Sequence, residues 1–269
     1  MNKNISFIDY KSRDFYFLYL ENQSEEGETG HKWQEHSFFE IMLITEGESE
    51  YVIENRRYTI TKGDLLLIKP GSHHYKHRVI KSPSSIYCLG FLPESIKNSG
   101  LAEKIFDKCE HISANNESAI LEIFDVLKRK LEISKHNASF FIKSIAEITV
   151  LLLNDLDLDS EKAPEIKNTA VQHMLDYIKE ELCNIRKVED ISKALFFSSS
   201  YTRTLFKKEM GIGIMQYVRN KKVLLAHRRI RHGEKPTEIY TDCGFSNYPS
   251  FYRAYRDYFG HSPNMQNPK

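Results

Sequence analysis

The hydrophobic and polar positions of this chain change their period along its length. Between about residues 5 and 95, short apolar runs are separated by turn signals such as Glu46-Gly47, Lys62-Gly63 and Lys69-Pro70-Gly71. The runs are SFFEIMLIT, SEYVIE, RRYTI, DLLLI and SSIYCLGFL. Regularly spaced short strands of this kind are typical of a β-sandwich or a small barrel.

From about 101 to 153 the period becomes helical. Ile120, Phe124, Leu127 and Leu131 recur at i, i+4, i+7 and i+11, and FFIKSIAEITVLLL follows them. The pattern predicts two helices after the strands. Their apolar stripe is wide, so they can cover the strand domain, pair with a second protomer, or do both.

A polar segment around DLDLDSEKAPEIKN interrupts this pattern and predicts a linker. Beyond the linker, the chain predicts a compact all-α domain made of short helices. Their expected bounds are about 170–183, 188–195, 199–210, 213–231, 236–242 and 248–259.

The helical part contains a weak internal repeat with an offset of 49 residues, which places Gly211 on Gly260 and Ser198 on Asn247. Each copy reads as a short helix, a turn, a capped second helix and a terminating glycine. That order predicts two helix-turn-helix units joined by a longer helix.

The second helix of each copy has one apolar and one polar face. Thr202, Leu205, Phe206 and Met210 are predicted to face inward in the first copy, and Phe251, Ala254, Tyr255 and Tyr258 in the second. A helix of this length fits the major groove of DNA, where arginine can hold guanine with two hydrogen bonds. The alternative for either copy alone is an ordinary amphipathic helix with a solvated face. The residues expected to face outward and contact DNA are Ser200, Arg203, Thr204, Lys207, Tyr248, Ser250, Arg253 and Arg256.

Charge divides the chain in the same way. The whole chain has 38 basic and 37 acidic residues, whereas the part from Ile166 onward has 18 basic and 10 acidic residues. A basic C-terminal part beside an acidic N-terminal part favours a polyanion-binding module joined to a different one. The four cysteines form no CxxC pair, so neither a disulfide framework nor a thiolate zinc site is expected. No long apolar segment predicts a membrane span, and a cytoplasmic location is expected.

The C-terminal segments FSSSYTRTLFKKEMGIGIMQYVRNKKVLLAHRRI and IYTDCGFSNYPSFYRAYRDYFGHSP resemble the double helix-turn-helix domain of the AraC/XylS transcription regulators. The resemblance covers about 100 residues and implies seven helices and promoter binding. It also places base-reading residues at Ser200, Arg203, Thr204, Tyr248, Ser250 and Arg253. Relatives often have arginine where this chain has Thr204, which implies weaker base reading by the first unit.

Two segments of the strand region, EHSFFEIMLITEG and GDLLLIKPGSHH, resemble the two motifs of cupins. His36, Glu40 and His74 match three of four metal ligands, while Gln34 replaces the fourth. Because that ligand is lost, no metal and no cofactor are expected. The resemblance to family sensor domains implies a small effector, and a sugar is one candidate. The expected effector-binding residues are Trp33, His36, Glu40 and His74, while His73 and His227 are expected at the surface.

The sequence thus predicts an α+β multidomain fold, in which a cupin-like β-barrel with two C-terminal helices precedes an all-α domain with two helix-turn-helix units. The expected domains are a barrel at 1–100, helices at 101–155, a linker at 156–168 and the DNA-binding domain at 169–269. The expected function is ligand-responsive transcription regulation without enzymatic activity. The expected partners are promoter DNA, a small-molecule effector, a second copy in a homodimer and, for an activator, RNA polymerase. The alternative is a metal-dependent cupin enzyme in which His36, Glu40 and His74 hold the ion and the helical domain binds a partner.

Overall fold

The computed structural model describes residues 6–22, 26–27, 34–54, 56–113, 118–156 and 169–263. The chain divides into two units, Met1–Ile166 and Lys167–Lys269. Apart from Leu156, the linker expected at 156–168 lies outside the described residues. Within the described ranges, the helices are too short or too polar to cross a membrane.

The N-terminal unit is built on one antiparallel sheet. Its strands are β1 (Ser6–Lys11), β2 (Phe15–Asn22), β3 (Phe39–Ile53), β4 (Arg56–Thr61), β5 (Leu65–Ile68), β6 (His74–Phe91) and β7 (His111–Ile112). They are ordered β1-β2-β6-β3-β5-β7, and β4 pairs with β3. The long strands β3 and β6 pair along most of their length, while β3 also pairs with β5 near its start and with β4 near its end. Side chains of β2 to β6 on one face of the sheet pack into a single cluster, so the sheet is bent around that face.

The turn expected at Glu46-Gly47 is wrong, because β3 runs through it. The pairing of β3 with β6 shifts register between Ile44 and Glu46 and again between Glu46 and Glu48. Gly47 has a φ of 82° there. A glycine with positive φ inside a strand is a bulge signal, and the extra residue bends the strand without ending it.

The described residues between 99 and 154 form three helices, where the pattern predicted two. They are α1 (Ser99–Lys108), α2 (Ser118–Ile133) and α3 (Ala138–Asn154), and a short 3-10 helix (Pro93–Ser95) precedes them. The additional helix is α1, whose 10 residues bury Ala102, Ile105 and Phe106. The predicted stripe of α2 is buried in one core with side chains of the sheet, among them Phe17 and Leu89. The buried stripe consists of Ile120, Phe124, Leu127 and Leu131.

The described residues of the C-terminal unit form six helices, one fewer than the family resemblance implies. They are α4 (Thr169–Glu181), α5 (Val188–Ala194), α6 (Ser199–Met210), α7 (Ile214–Arg231), α8 (Pro236–Ile239) and α9 (Tyr248–Phe259). The predicted helices at 199–210 and 248–259 have the observed bounds. The others differ by one to three residues at one or both ends, because sequence patterns fix helix boundaries less well than helix existence.

Helices α6 and α9 carry equivalent caps 49 residues apart, which confirms the internal repeat. The side chains of Ser198 and Asn247 accept hydrogen bonds from backbone N–H groups of the first turns of α6 and α9. Gly211 and Gly260 end the two helices in the left-handed conformation, with φ of 68° and 75°. Both helices have 12 residues. Local sequence thus determines where each of these helices begins and ends.

Gly47 provides a test of the bulge. A Cβ atom at this position would collide with the backbone carbonyl oxygens of Lys81 and Pro83. Gly47→Ala should therefore cost about 3 kcal/mol or more of unfolding free energy, from the backbone strain and the collision together. Gly27→Ala is the matched control, because Gly27 has a similar positive φ of 81° with open space around it. Its strain alone should cost about 1–2 kcal/mol.

The measurement is urea-induced unfolding followed by the fluorescence of Trp33, the single tryptophan, which belongs to the N-terminal unit. Equal losses for Gly47→Ala and Gly27→Ala would contradict the bulge as a sterically fixed feature.

Candidate functional site

The bent sheet has an inner face and an outer face, and the structure assigns the side chains of β3 to them. Phe39, Ile41 and Leu43 pack outward against the core that includes α1, α2 and α3. Met42 and Ile44 face the inner side, where the apolar lining of the barrel is completed by other strands. Alternation along β3 could not make this assignment, because both of its faces are apolar. The inner lining also includes Tyr16, Tyr51, Ile53, Tyr58, Ile60, Leu66, Ile68, Ile86 and Cys88.

Three predicted effector-binding side chains meet at the Glu40 end of this lining. His36 Nε2 lies 3.0 Å and His74 Nε2 lies 3.3 Å from Glu40 Oε2. Glu40 and His74 are buried, with 4% and 2% of their surfaces exposed, and His36 is partly buried. One ligand atom from each residue can be chosen so that all three lie within 4.8 Å of one another. The fourth expected residue, Trp33, lies outside the described residues.

The charge state of this cluster follows from its burial and its pairing. Burial alone raises the pKa of the Glu40 carboxyl, but the adjacent His36 and His74 rings outweigh it and hold the pKa well below its usual range. Burial lowers the pKa of His74, and its contact with Glu40 reverses this and raises the pKa above the usual value. A charged carboxylate beside positive charge is therefore the favoured state of the cluster.

Tyr16 and Gly90 border the cluster and were not predicted from the sequence. Gly90 on β6 pairs with Tyr16 on β2 and with Glu40 on β3, so the three positions form one row across the sheet. The Tyr16 ring occupies the space that a Cβ atom of Gly90 would need. Burial, followed by the charge of Glu40, raises the pKa of the Tyr16 phenol, which therefore remains a hydrogen-bond donor. Only the pairing of the three strands brings these positions together, and no local sequence pattern contains that information.

Neighbours of the cluster differ in part from expectation. Gln34 is exposed, and it exchanges two backbone hydrogen bonds, of 2.8 and 3.0 Å, with His74. His73, expected at the surface, is 2% exposed, and its Nε2 lies 2.6 Å from the Glu35 carboxylate. An acidic partner allows a polar ring to be buried.

The expectation for His227 in the other unit was also wrong. Its residue is half-buried, and its Nδ1 lies 2.6 Å from the Tyr255 hydroxyl. The ring stacks on Phe259, with the two ring centres 4.3 Å apart. An imidazole between aromatic rings belongs to the core of this unit, where a polar neighbour satisfies it.

The residues predicted to contact DNA lie on α6 and α9. On α6 the four predicted side chains belong to exposed residues, and the opposite side of the helix is buried. On α9, Arg253 and Arg256 are exposed, while Tyr248 and Ser250 are half-buried. The Tyr248 ring packs against Tyr240, so only part of it faces solvent. The buried sides consist of Thr202, Phe206 and Met210 on α6 and of Phe251, Ala254 and Tyr255 on α9.

Arg203 already has a partner within its own unit. Its guanidinium donates a hydrogen bond of 3.1 Å to Glu189 on α5. More than half of the Arg203 side chain stays exposed, so the pair is a surface ion pair that solvent screens and that contributes little to stability. Sequence spacing could not reveal it, because the partners are separated by 14 residues and lie on two helices.

Helix α7 connects the two helix-turn-helix units, and Lys222 fixes its position. The Lys222 side chain is buried, and its ammonium donates hydrogen bonds to the carbonyl oxygens of Ile185 and, at 3.0 Å, of Gly244. Arg186 also donates to the Gly244 carbonyl. Ile185 precedes α5 of the first helix-turn-helix, and Gly244 lies in the turn of the second helix-turn-helix. Lys222 therefore links α7 by hydrogen bonds to both helix-turn-helix motifs of the C-terminal unit.

Comparison with known proteins agrees with this architecture. The AraC-like ligand binding domain matches residues 23–152, and a helix-turn-helix domain matches residues 191–265. The chain is 20% identical over 226 residues to the Msm operon regulatory protein of Streptococcus mutans, covering 83% of this chain and 81% of that protein. It is 23% identical over 241 residues to the transcriptional activator RhaR of Escherichia coli, covering 79% of each.

Among solved structures, the chain is similar to ToxT of Vibrio cholerae. The two are 11% identical, with a TM-score of 0.38, over 94% of this chain and 96% of that one.

A sheet domain that matches a ligand-binding model, followed by two capped helix-turn-helix units, defines a ligand-binding and DNA-binding transcription regulator. The chain belongs to the AraC/XylS family.

Lys222 provides a stability test for the DNA-binding unit. Lys222→Met keeps the apolar stem but removes both hydrogen bonds, which leaves the Ile185 carbonyl without its buried donor and weakens the tie to Gly244. The expected cost is about 1–3 kcal/mol, because unsatisfied buried polar groups carry that penalty. Lys208→Met is the matched control, since the Lys208 side chain is 77% exposed. Thermal unfolding of helices, followed by circular dichroism, measures both variants. A loss of the same size in Lys208→Met would contradict a tying role for Lys222.

Proposed function

We propose that this regulator binds promoter DNA with α6 and α9 in two successive major grooves and adjusts that binding to a small effector held by the inner face of the sheet. The observation that carries the proposal is the repeat itself. Two 12-residue helices with equivalent caps each bury one face and present arginine on the other. A single solvated helix needs no such duplicate.

The proposed DNA contacts divide into base reading and phosphate binding. Arg203 and Arg253 occupy the middle of the exposed faces, where a guanidinium can hold guanine O6 and N7 with two hydrogen bonds. The hydroxyls can reach either bases or phosphates, and Lys207 and Arg256 lie nearer the helix ends, where charge attraction to phosphate suffices. The proposed contact residues are Ser200, Arg203, Thr204, Lys207, Tyr248, Ser250, Arg253 and Arg256.

Helix α7 supports the proposed spacing. Its 18 residues give a length of about 27 Å, comparable to the roughly 34 Å of one DNA turn once the lateral offset of the two flanking helices is added. A rod of this length allows one chain to read two grooves on the same side of the duplex.

The proposed effector site is the cluster of His36, Glu40 and His74 together with the apolar inner lining, and Trp33 remains part of the proposal from the sequence. An apolar wall with a few directed polar groups suits a small metabolite, and a sugar is one candidate. We propose regulation without catalysis, since the matched relatives are described as regulators. A promoter-binding role favours a cytoplasmic location. RNA polymerase is a further partner if the protein activates transcription.

A homodimer is proposed from the uncovered side of α3. The residues Phe140, Ile148 and Leu151 recur at helical spacing and are exposed, with Phe140 at 71%. A second copy can cover the exposed stripe with its own identical stripe, because a two-fold interface is self-complementary. The opposite side of the same helix is already buried against the sheet, through Ile142, Ala146, Val150 and Leu153.

The base-reading proposal is tested with Arg203→Ala and Arg253→Ala, made separately. Each should weaken binding to a cognate promoter by about 1–3 kcal/mol and relax base preference at one position of its half-site. Lys208→Ala is a control with the same charge change on an exposed side chain outside the proposed contact set. Affinity is measured by fluorescence anisotropy on the cognate site and on single-base variants of it. Uniform weakening on all sequences would indicate phosphate contacts instead.

The dimer proposal is tested with Ile148→Glu, which introduces a charge at the centre of the exposed stripe. The free protein should keep its fold, because Ile148 is solvent-exposed. The dimer should dissociate at least about tenfold more readily, because an unpaired charge cannot be buried cheaply. Phe196→Glu is the control, since Phe196 is 96% exposed in the other unit. Analytical ultracentrifugation gives the assembly state. Dissociation by Phe196→Glu and not by Ile148→Glu would place the interface elsewhere.

A further inference from the structure

The imidazoles of His36 and His74 have the orientation of metal ligands. Their Nδ1 atoms lie 3.1 Å from the Phe38 carbonyl oxygen and 3.0 Å from the Ser72 carbonyl oxygen. A carbonyl oxygen only accepts hydrogen bonds, so each Nδ1 carries the proton. The other ring nitrogen, Nε2, then has a lone pair when the ring is neutral. A backbone carbonyl that holds the remote N–H is the usual support of a metal-binding histidine.

Both Nε2 atoms face the same acceptor. They lie 3.0 and 3.3 Å from one oxygen of the Glu40 carboxyl group, and Glu40 is only 4% exposed. Two lone pairs and a carboxylate oxygen cannot be stable neighbours in a buried place without positive charge among them.

A divalent cation satisfies all three ligand atoms at once. An ion bound about 2.0–2.2 Å from nitrogen and oxygen ligands keeps them roughly 3–3.6 Å apart, a separation that the two nitrogen–oxygen distances meet. Two imidazoles with one carboxylate suit zinc, iron, cobalt, nickel or copper better than magnesium or calcium, which prefer oxygen ligands. The donor set, its spacing and the fixed tautomers therefore fit a transition metal.

We propose that His36 Nε2, Glu40 and His74 Nε2 bind one divalent first-row transition-metal ion, and that this ion is the anchor for the effector. Three protein ligands leave a coordination position open. Gln34 does not fill it, because its residue is exposed and contacts His74 through the backbone. Tyr16 lies beside His36, with the two ring centres 6.1 Å apart, and a tyrosine hydroxyl can donate a hydrogen bond. An effector hydroxyl or carboxylate oxygen at the open position would meet that donor.

This inference rests on the effector-sensing part of the proposed function and deepens it. It departs from the expectation, drawn from the replaced histidine, that no metal binds. The loss of one of four ligands removes one contact and leaves three converging donors in place. Binding of the ion can be measured without DNA, so its outcome is separate from that of the DNA-binding proposal.

The test uses the full chain, stripped of metal with a chelator and dialysed, and titrated with zinc chloride by isothermal titration calorimetry. We expect one ion per chain, and a loss of affinity of at least about 100-fold in His36→Gln and in His74→Gln, since removing a ligand should cost no less than removing an outer support. His136→Gln is the matched control, because His136 is an exposed histidine of the same unit. Its affinity should equal that of the unaltered chain.

If His74→Gln does not fold, the comparison rests on His36→Gln, because His36 is the most exposed of the three ligands. Folding of every variant is checked by circular dichroism and by Trp33 fluorescence. Equal zinc affinity in His36→Gln and His136→Gln, or no stoichiometric binding by the unaltered chain, would overturn the site.

A second titration measures affinity for promoter DNA with and without zinc. A zinc-dependent change in the unaltered chain, absent from His36→Gln, supports the role of the ion in sensing. Zinc binding without any effect on DNA affinity overturns that role. If the unaltered chain binds promoter DNA but does not bind zinc, the metal site is overturned and the proposed DNA contacts remain intact.

Discussion

The geometry of the DNA-binding unit depends on the burial of α7 along its whole length. Its first turns pack against the first helix-turn-helix, where the ring centres of Tyr217 and Phe206 lie 5.3 Å apart. Its last turns, with Ala226 and Ile230, share a core with Phe251 of the second helix-turn-helix. Helices as short as α5 and α8 bury little by themselves. The common helix lets two small units share one scaffold, so the positions of α6 and α9 are set by the same rod.

The N-terminal unit has a comparable constraint in the buried charge of Glu40. A carboxylate within an apolar lining is costly unless positive charge or several donors surround it. The fold of the sheet brings His36 and His74, from separate segments, to that carboxylate. The outer face of the same strands is committed to packing under α1, α2 and α3. One strand therefore serves the core and the site through its alternating side chains.

Local signals predicted much of the helical unit and part of the candidate site. Serine or asparagine before a helix and glycine after it determined the bounds of α6 and α9, because caps act on backbone groups within a few residues. His36, Glu40 and His74 were identified because they stand in recognisable motifs. Features that depend on tertiary contacts could not be predicted. Lys222 reads as one more solvated cation in a basic helix, yet it is buried between two carbonyl oxygens. The interpretation of Gly47 as a turn was wrong, because glycine with positive φ serves turns and bulges alike and only strand pairing distinguishes them.

The ion pair between Arg203 and Glu189 has a consequence for how the protein binds DNA. On the proposed mode of reading, a phosphate offers Arg203 only what Glu189 already provides, one negative partner at the surface. A guanine edge offers two acceptors inside a groove, so it outcompetes the carboxylate. If Arg203 reads a base as proposed, binding at that position therefore first replaces its ion pair with Glu189.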